Sequence, residues 1–259
     1  MGGLGNIFFQ MILYYKLLAE NQSTPTVFKN LTEKNKITSL INFQVHKNYY
    51  KYFFPEIKFK DASFFQYFIA VILFKLSKTF NIQIFEFHFV KPKQEELIST
   101  KKNMNYLGYF QSRSFLSSNK FYFDLVLKNI RSKIQDFNNK NVFHFRANDS
   151  IYKEKNIDIL KKLIALHQDD LVIVTDDKVK FKSIINNFNE NNLISSDILT
   201  DFSILCSAKC KLYCSISTFS WWSSHLVQKN CEVYLDKEML KIHGYHGLAT
   251  IKTYDTLFK

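Results

Sequence analysis

The C-terminal half of the chain predicts an α/β fold built on a parallel sheet, on three observations. Apolar runs alternate with helical patterns from Asn141 onward. The run Leu171–Thr175 is almost wholly apolar, as expected of a strand covered on both faces. Each of three such runs is followed by residues suited to anions or hydroxyls: Arg146, then Asp176 and Asp177, then Ser215 to Ser220. Strand–helix alternation implies right-handed crossovers, and ligands of such sheets lie beyond the carboxyl ends of the strands.

Taken in order, the chain opens on Gly2, Gly3 and Gly5, half of its six glycines. That concentration points to positive φ or a close backbone approach in the opening turn. Phe8–Glu20 follows as an amphipathic helix, with Phe9, Ile12, Leu13 and Leu17 at helical spacing. A glycine turn that opens a helix normally follows a strand, and none stands before Gly2. The expectation is therefore an N-terminal domain lacking its usual first strand, through either an upstream start or a shortened copy. Thr26–Phe28 reads as a short strand, 29–60 as irregular, Ala62–Thr79 as a buried helix and Ile82–Val90 as an alternating strand closed by Pro92. Tyr106–Ser112 reads as a strand or turn leading to a helix over Phe121–Phe137. The Asn138–Asn141 tract is the predicted boundary between a domain of residues 1–140 and one of 141–259.

Beyond that tract the spacing predicts strands at Val142–Arg146, Leu171–Thr175, Lys211–Cys214 and Glu232–Leu235. Helices are predicted at Ile157–His167, Val179–Phe188, Ile198–Ala208 and from the Ser217–Ser220 stretch through Gln228.

Composition sets the outer limits. Of 259 residues, 46% are hydrophobic and 22% charged, the balance of a folded domain with a sizeable core, and 27 Phe make that core aromatic. A net charge of +12 suits a nucleic-acid binder, a protein resting on an anionic membrane, or an enzyme for phosphorylated substrates. The lysines are scattered, and arginine occurs only at 113, 131 and 146. Guanidinium is the usual reader of guanine edges, so nucleic acid is not an expected partner. Cys206, Cys210, Cys214 and Cys231 lack the closing pair of a zinc site and read as buried free thiols in a reducing compartment. No basic leader precedes an apolar run, and the longest apolar run, Phe64–Phe74, is broken by Gln66 and too short to span a bilayer. A cytoplasmic protein, at most resting on the inner face of the membrane, is expected.

The chemistry converges on Ser215–Ser224, where both tryptophans stand side by side. A strand, a hydroxyl-rich turn and a helix aim free N–H groups and a positive dipole end at an anion. Ser217, Thr218 and Ser220 can either cap that helix or bind a phosphate oxygen. Each feature also has a plain reading: Arg146 as a surface ion pair, Asp176 and Asp177 as a helix cap, His144 as a satisfied core imidazole, the tryptophans as core. Their coincidence at strand ends is the inventory for a nucleoside diphosphate, with Arg146 bidentate on phosphate.

The segments GGLGN at 2–6, GYFQS at 108–112, HFRAND at 144–149, TDD at 175–177 and STFSWW at 217–222 occur in the order of motifs that they resemble in the bacterial α-1,2-fucosyltransferases. The resemblance implies a GT-B-like architecture of two Rossmann-like domains, with GDP-L-fucose held by the C-terminal one. It implies inverting, metal-independent transfer of fucose to a galactose 2-hydroxyl of a surface glycan or lipid-linked oligosaccharide, with peripheral membrane contact. By the same resemblance Arg146 binds the donor pyrophosphate, Ser217, Thr218, Phe219 and Ser220 form a second phosphate clamp, and Asp176 and Asp177 contact the nucleoside. His144 is the motif histidine and, with Gly3 and Gly5, a donor-binding position, and Gly5 and the catalytic Asn6 face the reacting centre. No metal or other cofactor is expected, and no two aspartates stand as Asp-x-Asp. Asp149 and Glu154 are the candidate general bases. The family pattern His-x-Arg-Arg-Gly-Asp is departed from at Ala147 and Asn148. This keeps an alternative open, an inactive or truncated relative that binds the GDP-sugar without transfer.

Overall fold

The computed structural model describes residues 4–20, 26–28, 49–60, 82–84, 87–89, 105–107, 110–147, 152–167 and 170–258. The chain divides into two compact units, Met1–Lys133 and Ile134–Lys259. The division falls just ahead of the asparagine tract, which is already strand from Asn139 onward.

In the first unit, helix α1 (Leu4–Glu20) begins four residues earlier than its sequence pattern suggested. Leu4, Ile7, Phe8, Met11, Ile12 and Tyr15 repeat at i, i+3, i+4, so burial of that stripe extends the helix through Gly5. Gly5 is therefore helical and buried, and positive φ is not what it supplies. Phe8 packs edge-on against Phe53, from the helical turn at 49–53, with ring centroids 5.1 Å apart. Helices α2 (Arg113–Ser118) and α3 (Lys120–Arg131) replace the single helix expected over 121–137. Asn119 separates them, its side-chain amide donating to the Phe115 carbonyl at 2.7 Å. α3 reaches α1 through Asn129, which donates to the Tyr15 hydroxyl at 2.6 Å.

Short strands complete the described part of this unit. β1 (Thr26–Phe28) pairs in parallel with β2 (Lys58–Lys60). β3 (Ile82–Ile84) and β4 (Phe87–Phe89) are antiparallel, and β4 is parallel to β5 (Asn105–Leu107). The strand expected over 82–90 is thus two strands folded back on each other. The helix expected at 62–79 lies outside the described residues.

The second unit is one six-stranded sheet. β6 (Asn139–Phe145), β7 (Leu171–Thr175), β8 (Leu193–Ile194), β9 (Ala208–Tyr213), β10 (Glu232–Leu235) and β11 (Thr250–Thr253) lie in the order β8-β7-β6-β9-β10-β11. Every pairing in it is parallel. Numbered within this unit, that is strand order 3-2-1-4-5-6, the doubly wound arrangement. Helices α4 (Lys153–His167), α5 (Lys178–Ile184), α6 (Ile198–Cys206), α7 (Thr218–Ser224), α8 (Lys237–His243) and α9 (Tyr254–Leu257) connect or follow the strands.

Alternation along each strand divides the core in two. Phe143, Phe145, Ile173, Tyr213 and Tyr234 face Leu160 and Leu163 of α4, Phe181 of α5 and Tyr254 of α9. Val142, Val174, Leu212, Cys214 and Val233 face Ile204 and Leu205 of α6 and Val227. Cys206, Cys214 and Cys231 are buried as expected, whereas Cys210 is exposed on β9.

Candidate functional site

The order of the strands places a crevice between β6 and β9, where the chain leaves the sheet in opposite directions. Ligands of doubly wound sheets bind there. The register Val142↔Leu212 and Phe143↔Tyr213 sets the two carboxyl ends side by side. Arg146 and the turn from Cys214 to Ser217 therefore leave the sheet at the same rim.

Arg146 is exposed and has no ion-pair partner among the described residues. Its charge is felt two residues back. Burial, and then the nearby guanidinium, lower the His144 pKa to about 3, so that imidazole is neutral. Nδ1 of His144 lies 2.5 Å from the Ser220 hydroxyl and 3.0 Å from that of Ser215, and the two hydroxyls are 3.1 Å apart. All three side chains are buried. The triangle pins β6 to both arms of the turn that enters α7. The rings of His144 and Phe219 are 5.1 Å apart, and Phe219 also meets Phe202 of α6 edge-on.

This geometry divides the STFSWW stretch. Ser217 is the N-cap of α7, its hydroxyl accepting the Phe219 N–H at 3.2 Å. Thr218 and Phe219 are half-buried at the rim. Ser220, expected to touch phosphate, is fully buried with its hydroxyl against His144 and Ser215, where it holds the turn. Trp221 and Trp222 are core, and the Trp221 indole donates to the Gly244 carbonyl at 2.8 Å.

The carboxylates divide likewise. Asp177 caps α5, accepting the Lys180 N–H at 2.9 Å, which is its plain reading. Asp176 is exposed at the rim, and its Oδ1 accepts the Ala147 N–H at 2.7 Å. Ala147 itself is buried among Phe143, Phe145 and Ile159. The position where the family pattern has a second arginine thus faces the core in this chain. Glu154 is exposed in the first turn of α4, where a negative charge complements the helix dipole. Asp149 lies outside the described residues, as does Gly3.

Two further polar residues, Asp201 and Asn156, belong to none of the motifs. Asp201 of α6 is buried, and its Oδ1 accepts the Ser196 N–H at 3.0 Å. Burial raises its pKa to about 6, with Asp197 and Asp176 adding to the rise. Asn156 of α4 is fully buried beside the Ile216 peptide. In the first unit, Gln111 donates to the Asn6 side-chain carbonyl at 2.9 Å. Just before it, Phe110 holds φ at 56°, a bulky residue in the left-handed region. Held strain of this kind concentrates at functional segments. Phe110 and Gln111 lie within the GYFQS segment, whereas no sequence signal marks Asn156 or Asp201. Among the described residues no group of three or more His, Cys, Asp or Glu side chains is placed to share a metal ion.

No protein-family model matches the chain, and no curated protein matches it. Among solved structures the chain is similar to E. coli heptosyltransferase WaaC with ADP, with a TM-score of 0.47 at 7% identity, covering 98% of this chain and 91% of that one.

Proposed function

We propose that the protein is a glycosyltransferase that takes its sugar from a nucleoside-diphosphate donor, the diphosphate lying at the β6/β9 crevice. The observation that carries this reading is the juxtaposition of an exposed Arg146, without an ion-pair partner among the described residues, with the Ser217-capped start of α7 at the switch point of a doubly wound sheet. A guanidinium on the bridging and terminal oxygens offsets the charge that grows on the departing diphosphate, the larger electrostatic requirement of such a transfer. Neutral His144, with Ser215 and Ser220, fixes the turn without adding a competing charge.

The motif order supports GDP-L-fucose as donor, a galactose 2-hydroxyl as acceptor and inversion at the transferred carbon, within a GT-B arrangement. The anionic donor and a lipid-linked acceptor suit a chain of net charge +12 at the membrane face. No helix among the described residues is long and apolar enough to cross a membrane.

Titration calorimetry with GDP, GDP-fucose and ADP, followed by transfer assays on galactosides in chelator, tests the reading. Binding of GDP-fucose with transfer is the expected result, and Arg146→Ala weakens GDP by about 10- to 100-fold through loss of a charge-assisted pair. Full binding in Arg146→Ala removes the proposed site. Tight binding without transfer to any galactoside selects the non-catalytic alternative.

A further inference from the structure

We infer that Asn156 is a donor-phosphate ligand of this crevice, its side-chain Nδ2 donating to a phosphate oxygen of the nucleoside diphosphate. This role rests on the glycosyl-donor reading above and adds to it a residue that no motif marks.

Asn156 is the fourth residue of α4, the 15-residue helix that follows β6. Its backbone N–H is used within the helix, donating to the Tyr152 carbonyl at 2.9 Å. Its side chain crosses to the turn after β9, where Oδ1 receives the Ile216 N–H at a long 3.5 Å. The amide therefore lies between the first turn of α4 and the turn entering α7, the two segments that flank the switch point. That contact sets which way the amide faces, because the reversed amide would oppose two donors. Nδ2 is left with two N–H groups in the interior and no hydrogen-bond partner among the described residues, although the residue is 0% exposed.

Buried donors are almost always satisfied, and a side chain that is not calls for an acceptor from outside the chain. The first turn of a helix of this length also directs unspent backbone N–H groups toward the same end. In a doubly wound sheet the segment after the first strand is where the phosphates of a nucleotide lie. Arg146 supplies charge at the end of that same strand. A buried amide donor against the turn after β9 contributes direction: two N–H vectors fixed by the Ile216 contact, which a solvent-exposed side chain cannot hold.

Asn156→Asp tests this in the full-length protein. The substitution preserves shape and the Oδ1 acceptor for Ile216, and turns the donor into an anionic acceptor. Calorimetry compares GDP with guanosine, which carries the same base and ribose without phosphate. The expected result is GDP binding weakened at least about tenfold with guanosine unchanged, the signature of a lost hydrogen bond to a charged group. Equal losses for both ligands would mean that Asn156 only holds the turn, and no loss would mean that its amide is satisfied by a buried water; either overturns the inference. Wild-type protein that binds no nucleoside diphosphate overturns the donor reading as well, which separates the two failures. Should the aspartate variant unfold, Asn156→Ala gives the same comparison. A wild-type crystal with GDP decides the matter with no variant, Nδ2 about 3 Å from a phosphate oxygen supporting the role and a water in that place refuting it.

Discussion

Oδ1 of Asp176 accepts the backbone N–H of Ala147 at 2.7 Å, so the end of β7 holds the turn that follows β6. The bond fixes the peptide directly after Arg146 and leaves the guanidinium itself at the rim. Asp176 therefore positions the turn that carries Arg146 through the backbone.

The same turn explains Ala147. Its side chain points into the cluster of Phe143, Phe145 and Ile159, so Ala147→Arg does not restore a second phosphate cation. A guanidinium there is forced into a packed interior, at a cost of about 3 kcal/mol or more. Chemical denaturation of the variant shows this as a lowered midpoint with no gain in GDP affinity.

His144 makes stability fall in acid. Its folded pKa is about 3, against about 6.5 in an unfolded chain, so below pH 6.5 the unfolded state binds the extra proton. Unfolding free energy contributed by this group is present above pH 6.5 and declines by about 1.4 kcal/mol per pH unit on the way down toward pH 3. Urea unfolding of wild type and His144→Gln from pH 7 to 4 yields a difference between them that shrinks with acidification. A constant difference would mean that the imidazole is not held neutral.

Asp201 works in the opposite sense. Its folded pKa, raised to about 6, favours the protonated carboxyl, so its stabilising contribution is complete below about pH 4 and is lost as pH rises through 6. Asp201→Asn keeps an oxygen for the Ser196 N–H and removes the charge. The variant melts a few degrees above wild type at pH 7.5, consistent with at most about 3 kcal/mol, and the gain vanishes near pH 4.

Gly244 ends α8 at φ 70° and ψ −165°, a region that side chains avoid, and its carbonyl receives the Trp221 indole. Gly244→Ala costs about 1–3 kcal/mol. Thermal melting reads the loss, and Trp221 fluorescence reports whether the indole keeps its partner.

Much of the second unit was legible because its strands are short and each is bounded by a change of pattern. Leu171–Thr175 and Glu232–Leu235 lie where their sequences put them. Strand β8 is two residues long, too short for any periodicity, and β11 carries lysine and threonine at a sheet edge, where alternation is weak. Helix α1 starts earlier than its pattern predicts because burial of Leu4 and Ile7 overrides the low helix propensity of glycine. In the site, the residue types that meet anions were visible and their division of labour was not. Ser217, Thr218 and Ser220 are equivalent by residue type, and only the direction of α7 decides that Ser220 turns inward to His144. Asn156 meets the Ile216 peptide far along the chain, and Asp201 turns back to the Ser196 N–H, so no motif spacing names either.

Three tyrosine rings, Tyr213, Tyr234 and Tyr254, are grouped beneath the sheet, with Phe258 stacked on the last at 5.9 Å. The Tyr254 hydroxyl donates to the Cys214 carbonyl at 2.9 Å, the peptide that introduces the α7 turn. Residues 254–258 are thereby a keystone for the turn that enters α7: cleavage after Thr253, or a fusion that pulls this segment away, would slacken the loop around Ser217 while leaving every residue of the rim in place.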